Sequence, residues 1–356
     1  MEFLTALLTT LIIIPFLKPI ADKVGLVDLP NARKHHNGAV PLVGGIAIFL
    51  GTMTACMMAF PNDNLIQLFL ISAGLIVLLG VMDDYHDLSV KLRIIAQILI
   101  ACILVYGEQA YLANLGNLFG FGDVYLGTIG TLFTIIAVIA AINAFNMTDG
   151  IDGLAGSLAL TTFGSSAILF YLGNNSEHVT LPLIIAFSVI PFLLFNLSLF
   201  PGNIRKIFMG DAGSMFIGLS VIWILVIGTQ GENAAFRPVT ALWIIAIPLM
   251  DMAAIMYRRI RKGQSPFKPD RDHLHHIFMR AGFTARQSLM IICTASVMLS
   301  LVGIISEIYQ WPEPLMLVLF IAMFLAYNHA IVHVWKLVKR IRVLRRASKL
   351  KKIRLA

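Results

Sequence analysis

The stretch LIQLFLISAGLIVLLGVMDDYHDLSVK, residues 65–91, decides the fold class. Its first seventeen residues are apolar except for Gln67 and Ser72, and they lack the two-residue alternation of a half-buried strand. That length is close to what a helix needs to cross a hydrocarbon layer of about 30 Å. Two adjacent carboxylates, Asp83 and Asp84, follow directly. Working outward, ten further apolar runs cover roughly 3–20, 40–60, 92–106, 124–143, 153–172, 181–200, 212–228, 239–257, 288–305 and 315–335, the fourth run of the chain being short. The whole chain is 58% hydrophobic and 13% charged, with a mean hydropathy of +0.84, so its solvent is a bilayer. Lipid tolerates only helices or closed barrels, and these runs do not alternate as barrel strands do. The expectation is an all-α, polytopic integral membrane protein of about 11 transmembrane helices.

Alternate assignment of the loops to the two sides puts all but one of the 27 Lys and Arg on the same side, the exception being Arg237. Positive charge stays cytoplasmic, which places the N-terminus in the periplasm and the C-terminus in the cytoplasm. The net charge of +8 is therefore a property of the cytoplasmic face. Residues 1–335 read as one transmembrane domain without internal repeats, and 336–356 as a basic cytoplasmic tail that sets topology and meets anionic lipid, not nucleic acid. The N-terminal run has no basic segment ahead of it and reads as a retained helix. Cys56, Cys102 and Cys293 all fall inside apolar runs and read as packing residues.

The loops on the other side are short connectors, whereas the cytoplasmic ones crowd ionisable residues against helix ends, where they cost free energy unless paired, solvated or metal-bound. That contrast puts the active site on the cytoplasmic face. Asp83 and Asp84 repel each other, and a cation or a shared proton relieves the repulsion, although helix capping could also account for them. Asn143-Ala-Phe-Asn146 leads into Asp149-Gly-Ile-Asp152-Gly, where the two acids stand three apart and could share a helix face. In Arg205-Lys206-Ile-Phe-Met-Gly-Asp211 an acid begins a span just after two cations. Asp211 is a candidate ligand for a hard cation, and with Asn146 and a diphosphate it would satisfy Mg²⁺, which needs only one or two protein oxygens. The fifth cytoplasmic loop, Pro266-Phe-Lys-Pro-Asp-Arg271-Asp-His273-Leu-His275-His276, has the Arg and His density of a lid over phosphates and sugar hydroxyls. Its histidines lack the i, i+4 spacing of helical zinc ligands. No P-loop or protein-kinase signature occurs.

Taken together and in order, these motifs resemble the polyprenyl-phosphate N-acetylhexosamine-1-phosphate transferase family over nearly the whole chain. They are Lys34-His35 with Gly44-Gly45, Asp83-Asp84 with Lys91, Asn143-Ala-Phe-Asn146 with Asp149 and Asp152, Phe208-Met-Gly-Asp211 with Gly213-Ser214, and the histidine loop. The resemblance implies a multi-pass enzyme of the bacterial inner membrane that moves N-acetylglucosamine 1-phosphate from UDP-N-acetylglucosamine to undecaprenyl phosphate and releases UMP. Such a step initiates a cell-surface polysaccharide of the O-antigen or enterobacterial common antigen type, and the resemblance leaves room for a homodimer. It further implies Mg²⁺ or Mn²⁺ on Asp211 and Asn146; catalytic roles for Asp83, Asp84, Lys91, Asp149 and Asp152; and substrate contacts from Lys34, His35, Asn143, Arg205, Arg271, His273, His275 and His276. Relatives that use UDP-N-acetylmuramoyl-pentapeptide carry a His-His-His-Phe-Glu type motif in the fifth loop, which is absent here. Another UDP-N-acetylhexosamine donor is the nearest alternative. Secondary transport, the rival from a different class, predicts ionisable groups at the bilayer midplane and repeated halves, whereas the acids of these motifs lie at cytoplasmic helix ends and no repeat is apparent.

Overall fold

A computed structural model describes residues 1–30, 38–107, 109–199, 205–266 and 273–333. Lys34, His35, Arg271 and the basic tail, to which the sequence reading assigned roles, lie outside the described residues. Helix α1 (Glu2–Val24) is followed by a two-residue hairpin pairing, β1 (Val27–Asp28) with β2 (Val40–Pro41), then α2 (Gly44–Ala59), α3 (Asn64–His86) and α4 (Val90–Cys102). The chain continues through α5 (Ile129–Thr148), α6 (Leu154–Leu172), α7 (Thr180–Asn196), α8 (Gly210–Thr229), α9 (Pro238–Ile244) and α10 (Ala246–Arg261). It ends in α11 (Leu274–Arg280), α12 (Ala285–Ile308) and α13 (Glu313–Val332).

Every apolar run forms helix, and the all-α class holds. Among the described residues nine helices are long and apolar enough to cross a membrane, or ten if α9 and α10, bent by 82° at Ile245, make one span. The remaining run, α2, has 16 residues and reaches only about 24 Å at 1.5 Å per residue, short of a hydrocarbon core. The short fourth run is lengthened by a π-helical turn, Ile103–Gly107, that continues α4. Helix starts follow local chemistry: Asp63, Ser89 and Thr284 each accept a hydrogen bond from a first-turn amide of α3, α4 and α12.

On α1, Leu4, Leu8, Ile12, Phe16 and Ile20 recur every four residues as an exposed apolar stripe, while Ala6, Thr10 and Ile14 face inward. A stripe of that length would be an aggregation hazard in water and is the expected surface in lipid. At the centre stands α8, buried along almost all its length and packed by α2, α3, α5 and α6. Small residues permit that closeness. A Cβ on Gly45 would come within 2.1 Å of the Gly213 nitrogen, and one on Gly80 within 2.3 Å of the Ala212 Cα, so α2 and α3 meet the first turn of α8 backbone to backbone. The ends of α3 and α5 and the start of α11 gather at this end of the bundle. At the other end Arg237, the lone cation of that side, pairs with Glu307 at 3.1 Å.

Candidate active site

The extended segment Ile207–Met209 delivers α8 to the site and is held on three sides. The Phe208 amide donates to the Pro41 carbonyl (3.0 Å), the Gly44 and Gly45 amides donate to the carbonyls of Phe208 and Met209 (3.0 and 2.9 Å), and Asn196 Nδ2 donates to the Ile207 carbonyl (2.9 Å). The first turn of α8 has no capping side chain of its own. Asp84, at the end of α3, supplies the cap from outside: its Oδ1 accepts from the Asp211 amide (3.0 Å) and its Oδ2 faces the Ala212 amide (3.3 Å). Gly210 at φ +72° makes room, since a Cβ there would sit 2.5 Å from Asp84 Oδ2. Unpaired amides and the positive end of the helix dipole both favour a carboxylate in that place.

Asp83 makes other bonds, although its carboxyl also meets that of Asp211. It is buried, and its Oδ2 accepts from Arg93 Nη1 at 2.7 Å while its Oδ1 accepts from the Leu88 amide at 2.9 Å. The two neighbouring acids therefore have different partners, as their angular separation of about 100° on a helix requires. Arg93, not Lys91, faces Asp83. Lys91 stands exposed on the first turn of α4, and the hydrogen bonds of Asp84 go to α8 and not to it.

Asp211 Oδ1 accepts from Asn146 Nδ2 at 2.8 Å, and the same amide nitrogen lies 3.0 Å from Ser214 Oγ. Asn146 reaches there from the last turn of α5, three residues beyond Asn143, whose amide instead ties α5 to α4 through Gln97 (2.9 Å). Asp149 and Asp152 follow α5, but not on a helix face. Asp149 terminates α5 and Asp152 lies in the irregular turn before α6, shaped by Gly153 at φ +77° and by Asn196 Oδ1, which accepts from the Gly153 amide at 2.6 Å. The glycines break the helix between the two acids. Asp152 pairs with Lys206, whose ammonium also sits 4.7 Å over the Phe208 ring.

Asp83, Asp84, Asp149, Asp152 and Asp211 thus form one electrostatic group, in which Asp211 acts on Asp84 and Asp149, and Asp83 and Arg93 act on Asp211. Protein crowding around its carboxyl, then the charges of Asp211 and Asp152, push Asp149 up to about 7. The residue as a whole keeps solvent access, at the turn that follows α5. Among the described residues no three His, Cys, Asp or Glu side chains make a closed metal cage. The pairing of Asp211 with Asn146 nevertheless suits a hard cation completed by substrate phosphates. The Asn146 amide would then turn its oxygen inward, a rotation equivalent to the usual amide flip.

The described end of the histidine loop lies beside the acidic turn. His273 precedes α11, His275 and His276 lie on it, and the His273 and His275 rings stack at 5.8 Å. His275 packs on the turn between the acids: a Cβ on Gly150 would lie 2.1 Å from its Nε2. Burial, then the neighbouring His276 and His273, hold His275 down at about 3, so it is neutral at physiological pH. Arg205 is placed away from the acids, bonding Asp22 Oδ2 and the Ala39 carbonyl, each at 2.5 Å. That arrangement braces α1 against the loop before α2. Arg93 and Asp251, the latter bonded to His273, were not singled out in the sequence, and Ser214 stood there only as part of its motif. Asp251 had a signal, since an ionisable residue inside an apolar run is functional by default; Arg93 had none apart from its neighbours.

Residues 65–229 match the family model described as glycosyl transferase family 4. Over 337 residues the chain is 46% identical to the undecaprenyl-phosphate alpha-N-acetylglucosaminyl 1-phosphate transferase of Yersinia pestis, covering 93% of this chain and 92% of that one. The proteins of the same name from Salmonella typhi and Escherichia coli strain K12 are each 45% identical, over 99% and 97% of this chain and 96% and 94% of theirs.

Proposed function

The chain belongs to glycosyl transferase family 4, and from that premise we propose that it transfers N-acetylglucosamine 1-phosphate from UDP-N-acetylglucosamine to undecaprenyl phosphate at the cytoplasmic face of a bacterial inner membrane. The observation that carries the reading is the convergence of Asp211, Asn146 and the four other acids at the first turn of α8. An oxygen of the lipid phosphate attacks the sugar-bearing phosphorus, the bond between the two phosphorus centres breaks at its bridging oxygen, and UMP departs. Asp211 and Asn146 would hold Mg²⁺ or Mn²⁺, which supplies charge neutralisation for the diphosphate. Asp84 fixes the backbone of Asp211 and so fixes where its carboxylate points. Asp83 has both oxygens engaged, which leaves Asp149, a solvent-accessible residue in the turn after α5, as the better-placed group to take the last proton of the acceptor phosphate. Lys206 holds Asp152 at the rim. Lys34, His35 and Arg271 complete the proposal as cations and donors for the diphosphate, and single displacement needs no covalent enzyme intermediate.

The test is UMP release by the purified protein in detergent, given polyprenyl phosphate and UDP-N-acetylglucosamine. Release with a different UDP-N-acetylhexosamine alone would reassign the donor, and no release with any nucleotide sugar would overturn the proposal.

A second prediction uses the charges. A carboxyl raised above its unfolded value weakens the fold as pH climbs through its folded pKa, here about 7 for Asp149. A divalent cation offsets that cost. Mg²⁺ added without substrates should therefore raise the melting temperature more at pH 8 than at pH 5.5. An equal shift at both values would show that the cation does not meet these acids.

A further inference from the structure

Away from the five acids, a sixth carboxylate is enclosed in the protein with three partners. Asp251 lies on α10, six residues past the bend at Ile245, and is only 2% exposed. Its Oδ2 is 3.0 Å from Nδ1 of His273, which is itself buried, while its Oδ1 accepts from the Leu274 amide (3.1 Å) and from the Tyr327 hydroxyl of α13 (2.7 Å). An ionised carboxylate only accepts hydrogen bonds, so His273 must carry its proton on Nδ1. The two donors on Oδ1 hold the carboxylate plane and aim Oδ2 at the ring. Burying a charge in an apolar span is costly unless each contact is made, and here α13 and the start of α11 make them.

We propose that Asp251 is a positioning residue for the transfer reaction. Through His273 it sets the tautomer and orientation of the histidine loop and fixes the start of α11 over the acidic turn, where His275 rests on Gly150. The proposal rests on the transfer reaction proposed above and on the substrate contact that the family resemblance implies for His273. Carboxylate–imidazole pairs of this kind fix the ring and raise its basicity, and loss of the orienting partner typically costs 10–100-fold in activity.

The experiment compares Asp251→Asn, His273→Gln and the double variant by UMP release. Asp251→Asn should lower kcat by about 10–100-fold with a smaller change in the donor KM. The double variant should be no slower than His273→Gln alone, because the carboxylate acts only through the ring. Losses that multiply, or an Asp251→Asn enzyme of normal kcat, would overturn the assignment. If Asp251→Asn does not fold, Tyr327→Phe keeps the carboxylate and removes one donor; a several-fold fall in kcat, absent in the His273→Gln background, supports the proposal, and no fall overturns it. Nitrogen-15 histidine spectra provide a readout independent of the donor. The His273 resonances, assigned by their loss in His273→Gln, should report Nδ1 protonation in the native protein and lose it in Asp251→Asn. A native protein without UMP release would refute the functional reading, and the spectra would still decide whether Asp251 sets the tautomer.

Discussion

Asp211→Asn is expected to lower turnover by about 10³-fold while the protein folds normally. A cation that neutralises a transferring diphosphate contributes several kcal/mol of transition-state stabilisation, and each 1.36 kcal/mol is tenfold in rate, so a loss near 4 kcal/mol corresponds to about 10³. Folding should survive because Asn keeps the shape of the side chain and can still accept from Asn146, and because the amides of Asp211 and Ala212 remain capped by Asp84. Removing one charge from a group of five clustered carboxylates should even raise the melting temperature of the metal-free protein. Initial rates across a Mg²⁺ titration, beside melting curves, test both parts. Near-normal turnover with unchanged metal dependence would remove Asp211 from the metal site.

Arg93→Met is expected to produce the largest loss of stability, about 3 kcal/mol, the lower end of what removing one partner of a buried ion pair costs. The lower end applies because the Arg93 side chain is 26% exposed, whereas that of Asp83 is 2% exposed and would be left with an uncompensated charge. The Leu88 amide would be its remaining described donor. Pairing the change with Asp83→Asn should restore much of the stability, since the stranded charge is gone, and should not restore turnover. Lys91→Met, by contrast, should melt close to the native protein because Lys91 is exposed and has no described partner. Thermal unfolding of the four proteins in one detergent checks the set. If Arg93→Met and Lys91→Met melted together, the pairing of Asp83 with Arg93 would not be what holds the end of α3.

The helices, the membrane, the face that carries the acids and the family were legible in the sequence. Hydrocarbon thickness and the cost of burying charge act on every segment independently, so composition and spacing suffice to read them. The same reasoning found Asp211 and Asn146, because an acid at a helix start and an amide at a helix end are local signals. Partner choice was not local. Asp84 caps a helix through an amide 127 positions later, Asn146 meets Asp211 across 65 positions, and Arg205 turns from the acids to Asp22, 183 positions away. Asp83 and Asp84 share a motif with Lys91 in the sequence, yet the turn into α4 presents Arg93 to Asp83, and Asp84 bonds α8. Asp149 and Asp152 have helical spacing, but they sit in a turn, next to a glycine at positive φ. In each case the outcome depended on helix rotation and on backbone approach within a few ångströms, which α8 settles by letting Gly45, Gly80 and Gly213 bring three helices together. A hydrogen bond is lost over a displacement of about 1 Å, so which charges become partners is decided only when the helices have packed.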